Sequence, residues 1–158
     1  MKLRGPLGLV LAIVVCQGAG ILGALFTAPS IPNWYASLQR PSFTPPSWLF
    51  APAWITLYTL MGIAVYLVFR QGWEKPAIRS AVYLFGVQLV LNAIWSWLFF
   101  GLHRIDLALA EIVVLFFAIL VTMVLFFQLS RLAGCLLIPY LAWVGFASVL
   151  TFQYWRLN

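Results

Sequence analysis

Three short patterns in this sequence carry side chains able to do chemistry. Gln88, Asn92 and Ser96 step by four residues, with Trp95 beside them, and on a helix this puts hydrogen-bonding groups on one face. Tyr140, Trp143, Ala147, Leu150 and Tyr154 are spaced three, four, three and four apart. They form one continuous helical face on which aromatic residues flank a small one and leave a recess. Trp54 and Tyr58 form a third pair at i, i+4. Broad aromatic faces with a few polar anchors suit a flat, apolar, polarizable ligand held by stacking. The same residue types also serve as core packing and as interhelical hydrogen bonds. Spacing alone leaves both readings open.

Other chemistries find little to work with. The lone His103 stands beside Arg104 with no cysteine or acidic cluster near it, which makes no zinc site. Cys16 and Cys135 both fall in apolar runs and read as buried, inert thiols. No nucleophile–base arrangement and no phosphate-cradling glycine loop occurs. Glu111 is the one acid well inside an apolar run, and an intramembrane carboxylate is a functional candidate by default. It lies about one turn past Asp106, so the plainer reading has it reaching water or Arg104 at the membrane edge.

The elements that must position these residues follow from composition. Of the 158 residues, 65% are hydrophobic and only 8% charged, against about 25% charged in soluble domains. Mean hydropathy is +1.03. Five runs reach the ~20 apolar residues a helical span needs: 7–28, 47–69, 81–100, 107–127 and 132–152. They are too long and continuous for barrel strands. The fold class is therefore an all-α integral membrane protein, a single five-helix bundle covering 1–158 with no room for a soluble domain. Lys2 and Arg4 before an apolar stretch resemble a signal peptide, but the stretch continues to Phe26, too far for such a segment, and is read as an uncleaved first helix. Ala19/Gly23 and Gly20/Ala24 on that helix are small-xxx-small pairs, which predicts close packing inside the bundle. Pro139 predicts a kink in the fifth helix.

The net charge of +6 is distributed as a topology signal. Lys2, Arg4, Arg70, Lys75, Arg79 and Arg131 fall on one side of a five-span bundle, and Arg40, Arg104 and Arg156 on the other. The positive-inside rule makes the N-terminus cytoplasmic and the C-terminus external; nothing points to nucleic acid. The one long connection, 29–46, holds Trp34, Tyr35, Pro41, Phe43, Pro45 and Pro46. An aromatic belt at the interface would account for the rings, but a belt does not need three prolines that fix φ. A rigid lid over the bundle mouth would use both.

The order WYASLQRPSFTPPSW, PAW-x-x-LY-x-x-MG, QL-x-LN-x-x-W, FFG and PYLAW resembles the translocator protein family, also called the tryptophan-rich sensory protein or peripheral benzodiazepine receptor (TspO/MBR) family. The resemblance covers nearly the whole chain. It implies a five-helix bundle whose first loop closes a ligand pocket, with tetrapyrroles (protoporphyrin, heme), sterols and benzodiazepine-site compounds as ligands and no required cofactor or metal. By motif, Trp54, Asn92, Trp95 and Trp143 carry over as pocket residues, and Ala147 and Leu150 as pocket and sterol-side positions. Leu150, Tyr154 and Arg156 fit a proposed sterol-contact pattern. Phe43 stands where the lid motif commonly has tryptophan. A homodimer through the third helix, as in some relatives, would use a small-xxx-small seam that Val90 interrupts after Gly86.

Three functions follow from the resemblance. One is a membrane translocator or sensor that binds tetrapyrroles or lipid. Another is an enzyme that degrades protoporphyrin in light, with Trp54 and Trp143 as the reacting residues. The third is a structural adaptor acting through a partner protein. The membrane implied is a bacterial cell membrane, or the mitochondrial outer membrane for a eukaryotic source.

Overall fold

A computed structural model of the chain describes residues 5–158. Lys2 and Arg4, which count toward the charge asymmetry, lie outside the described residues. Five helices long and apolar enough to cross a membrane follow one another. They are α1 (Pro6–Ser30, extended by a π turn over Ile31–Tyr35), α2 (Ser47–Phe69), α3 (Pro76–Ser96, extended by a π turn over Trp97–Gly101), α4 (Ile105–Leu129) and α5 (Arg131–Leu157). The described residues contain no strand. Packed neighbours run α1, α2, α5, α4, α3 and back to α1, a closed ring of helices.

Local chemistry sets the ends. Pro6 and Pro76 open α1 and α3 at a position where the missing N–H costs nothing. Gly72, at φ +133°, turns the chain between α2 and α3. Ser130 alone joins α4 to α5, and its side chain accepts from the Ala133 N–H at 3.3 Å. α5 runs through Pro139 as one helix.

The expected lid loop of 29–46 is too long. Helical backbone continues from α1 through the π turn to residue 37, so the irregular segment is 38–46. Trp34 and Tyr35 therefore ride on a helix and not on a loop. The helix runs through Pro29, with Ile31 N–H still reaching Thr27 O, and an i→i+5 turn carries it past Pro32. The later spans also begin or end several residues beyond their hydrophobic runs, because α3 and α5 carry polar turns that extend past the apolar part.

Close approach of α1 and α2 depends on small residues. A Cβ on Gly20 would lie 2.5 Å from the Tyr58 ring, so only glycine admits that ring. Ala19 and Gly23 are also buried, whereas Ala24 is exposed, so the inward seam is Ala19, Gly20 and Gly23. Gln17 fastens the same two helices, donating to Ile55 O at 2.9 Å and to Thr59 Oγ1 at 3.0 Å. Of the two cysteines, Cys16 is buried and Cys135 is exposed; both are free. The expectation of two buried thiols fails at Cys135 because it sits in the first turns of α5, on the face opposite Ala133 and Leu137.

Candidate functional site

The three sequence patterns converge. Tyr58 on α2 donates its hydroxyl to Asn92 Oδ1. Asn92 on α3 donates from Nδ2 to the Tyr140 hydroxyl at 3.1 Å, and Tyr140 on α5 donates to Gln88 Oε1 at 2.9 Å. All four side chains are buried. A hydrogen bond of this kind holds helices together where water cannot. Both ends of Asn92 are thus engaged, and it acts as a tie between three helices. Ser96, the third member of its face, lies instead against Gly23 of α1.

Above this network, toward the lid, the bundle is filled by rings. Trp54 stacks on Tyr58 (centroids 5.4 Å apart) and meets Tyr140 and Trp143 edge-on at 6.5 and 6.3 Å. Trp143 also meets Phe50 and Phe146, and Ala147 packs beside it against the same core. Trp95 stacks on Phe99 at 5.1 Å. Trp54, Trp143, Asn92, Trp95 and Ala147 are thereby brought to one region. Leu150 and Tyr154 join a second, lid-side cluster with Phe99 and Ala108. Arg156 does not join them. It is exposed on another face of α5, with its guanidinium over the Phe152 ring.

The lid closes on that second cluster. Tyr35 and Tyr154 share a hydrogen bond between hydroxyls at 2.8 Å. Trp34 stacks on His103 at 4.3 Å and 13°, and Ser30 donates to Phe100 O at 2.6 Å. Pro41 is buried and Pro45 half-buried, while Pro46 is exposed. Phe43 reaches Phe146 edge-on, and the Arg40 guanidinium lies over Tyr35. Asn158 adds a clasp that sequence reading missed: it accepts from the Gln39 N–H at 2.9 Å and donates to Gln39 O at 3.2 Å. A terminal asparagine carries no signal for such a role. Two clefts open on the surface, about 210 Å³ beside Phe116 and Gly145 and about 440 Å³ beside His103 and Trp155. Neither is lined by Trp54 or Trp143, whose surroundings are ring-packed.

The comparison with known proteins decides the family. The model of the TspO/MBR family matches residues 12–156. The chain belongs to the TspO/MBR family. Among its curated relatives, the tryptophan-rich protein TspO of Archaeoglobus fulgidus is 42% identical over 96% of this chain and 97% of its own length. The translocator protein of Bos taurus is 40% identical over 88% of this chain and 83% of its own. The tryptophan-rich sensory protein of Cereibacter sphaeroides is 36% identical over 92% and 88%. With its five apolar helices, this TspO/MBR chain is a multi-pass integral membrane protein of a family of sensors and translocators.

Glu111 departs from expectation. It does not reach Arg104, which pairs with Asp106 through two bonds of 2.9 and 2.6 Å. Both Glu111 oxygens are buried without a hydrogen-bond partner, as are Gln88 Nε2 and Trp95 Nε1. One helical turn past Asp106 brings the side chain inside the ring of helices, out of Arg104's reach.

Proposed function

We propose that this protein binds tetrapyrroles, protoporphyrin or heme, among the rings of Trp54, Trp95 and Trp143, and acts as a membrane carrier or sensor for them. The observation that supports the reading is the edge-on contact of Trp54 and Trp143 from two helices, with Trp95 of a third packed against the same core, beneath a lid. A flat macrocycle offers two large faces, and base-like stacking on indoles needs little else. Entry requires the lid contacts at Tyr35, Trp34 and Asn158 to open, because the rings fill the interior when they are closed. Sterols or other lipids are a second ligand class for the side of the site near Leu150. The test is a titration of the detergent-solubilised protein with protoporphyrin IX, heme and a sterol, followed by tryptophan emission. Saturable quenching by the tetrapyrroles is expected; quenching that rises linearly with no saturation would overturn the reading.

A second reading is light-driven breakdown of bound porphyrin with dioxygen as the oxidant. The edge-on pair of Trp54 and Trp143 at 6.3 Å favours it: an indole beside the excited macrocycle can give it one electron, and the reduced macrocycle passes that electron to dioxygen, whose superoxide then attacks the ring. An adaptor role would show as loss of phenotype on deletion of a partner while ligand binding stays intact.

A further inference from the structure

Among the described residues the interior holds four buried polar atoms with no partner: the two oxygens of the Glu111 carboxyl and two donors, Gln88 Nε2 and Trp95 Nε1. Buried polar groups in folded proteins are nearly always satisfied, so four on two adjacent helices require an account. They do not satisfy one another. Gln88 is 1% exposed, so bulk water does not reach it. Every described arginine and lysine is exposed, and none of them is a hydrogen-bond partner of the carboxyl.

Their placement ties them together. α3 ends and α4 begins at the same end of the bundle. Glu111 lies six residues beyond Ile105 and Trp95 six residues before Gly101, both about 9 Å from the connection at ~1.5 Å per residue. Gln88 lies two turns deeper on the same helix. Tyr140 of α5 donates to Gln88 Oε1 at 2.9 Å and leaves Gln88 Nε2 unpaired. Glu111 also stands where the two apolar clusters meet, between Ala108 of the lid-side cluster and Ile112 and Leu115 of the main core.

We propose that Glu111, with Trp95 at the same depth, is an internal anchor for the hydroxyl group of an amphiphile. A hydroxyl fits this pair: its O–H donates to a Glu111 oxygen, and a lone pair accepts from the Trp95 N–H. A water molecule has the same chemistry and is the competing occupant. The inference rests on the reading of the interior as a ligand site, but it adds a requirement of its own. An amphiphile held at Glu111 must donate a hydrogen bond there, whereas a stacked macrocycle need not.

The test uses a fluorescent sterol alcohol, dehydroergosterol, and its 3-O-methyl ether, which keeps the acceptor oxygen and loses the donor. Energy transfer from tryptophan reports binding of each to the detergent-solubilised full chain, with protoporphyrin quenching measured in parallel. The parent is expected to hold the alcohol about tenfold more tightly than the ether, as suits a hydrogen bond to a charged or buried group. Glu111→Leu should bring the two affinities together, and Glu111→Gln, which keeps an acceptor, should retain a preference. Glu111→Ala is carried alongside, so that the result does not depend on leucine fitting. Equal affinities in the parent would mean that the site holds water only, and would overturn the inference. So would a preference that survives in both Glu111→Leu and Glu111→Ala. If protoporphyrin still quenches in those cases, the interior-ligand reading stands and only the hydroxyl anchor is lost; if it never quenches, both are lost.

Discussion

Replacing Tyr58 with phenylalanine removes one oxygen from the bundle and keeps the ring in its seat against Gly20 and Trp54. That oxygen donates to Asn92, which is 5% exposed. Asn92→Leu removes the acceptor and leaves the Tyr58 hydroxyl buried and unpaired, while Tyr140 keeps its bond to Gln88. A stranded buried donor costs about 1–3 kcal/mol, whereas interhelical bonds in membranes average about 0.6 kcal/mol and reach about 1.7. Asn92→Leu should therefore destabilise by about 2 kcal/mol, and Tyr58→Phe by about 1. The double variant, in which phenylalanine leaves no hydroxyl stranded, should be destabilised by only about 1 kcal/mol, less than Asn92→Leu alone. The coupling is then about 2 kcal/mol. It can be read from a double-mutant cycle of unfolding by sodium dodecyl sulfate in mixed micelles, followed by circular dichroism. Additive effects within about 0.3 kcal/mol would show that the network does not tie α2 to α3, and the structural role assigned to Asn92 would fall.

Gly20→Ala should destabilise by about 1–3 kcal/mol in the same assay, because the new methyl group meets the Tyr58 ring. Gly18→Ala, with open space around it, should not. Trp143→Phe and Trp54→Phe should keep most porphyrin affinity but slow light-driven loss of porphyrin absorbance if the photo-oxidation reading holds, with Trp73→Phe as control; bleaching at the parental rate in both refutes that reading. A reporter fused after Asn158 should be active outside the cytoplasm, from the six-to-three split of basic residues. Cytoplasmic activity would invert the topology. Asn158→Ala should loosen the lid, seen as faster proteolysis at residues 38–46 with the helical content unchanged.

Helix number was legible because each span is a long apolar run, and α2 matches its run residue for residue. The convergence of Trp54, Asn92 and Trp143 was visible as three helical faces with matching chemistry. Two kinds of detail were not visible. The connection was read as starting at residue 29, where the apolar run ends, yet a π turn over Ile31–Tyr35 carries the helix on, and no local pattern announces that turn. The fate of Glu111 depended on which way one helical turn faces relative to Arg104, and the pairing of Arg104 with Asp106 decides it. Gln17 and Asn158 act through partners 38 to 119 positions away, so no local window could show them.

The π turn at Trp97–Gly101 carries a consequence for sequence length. Such a turn closes over five residues where an α turn closes over four, so it stores one residue that the helix does not need for its register. Deleting a residue from the middle of α3 would rotate everything beyond it by about 100° and turn Asn92 or Trp95 toward lipid. Deleting one between Trp97 and Gly101 would convert the wide turn to an ordinary one and leave both flanks facing as before. Homologous chains one residue shorter should show their gap there, and an engineered single deletion should be accepted there and nowhere else along α3.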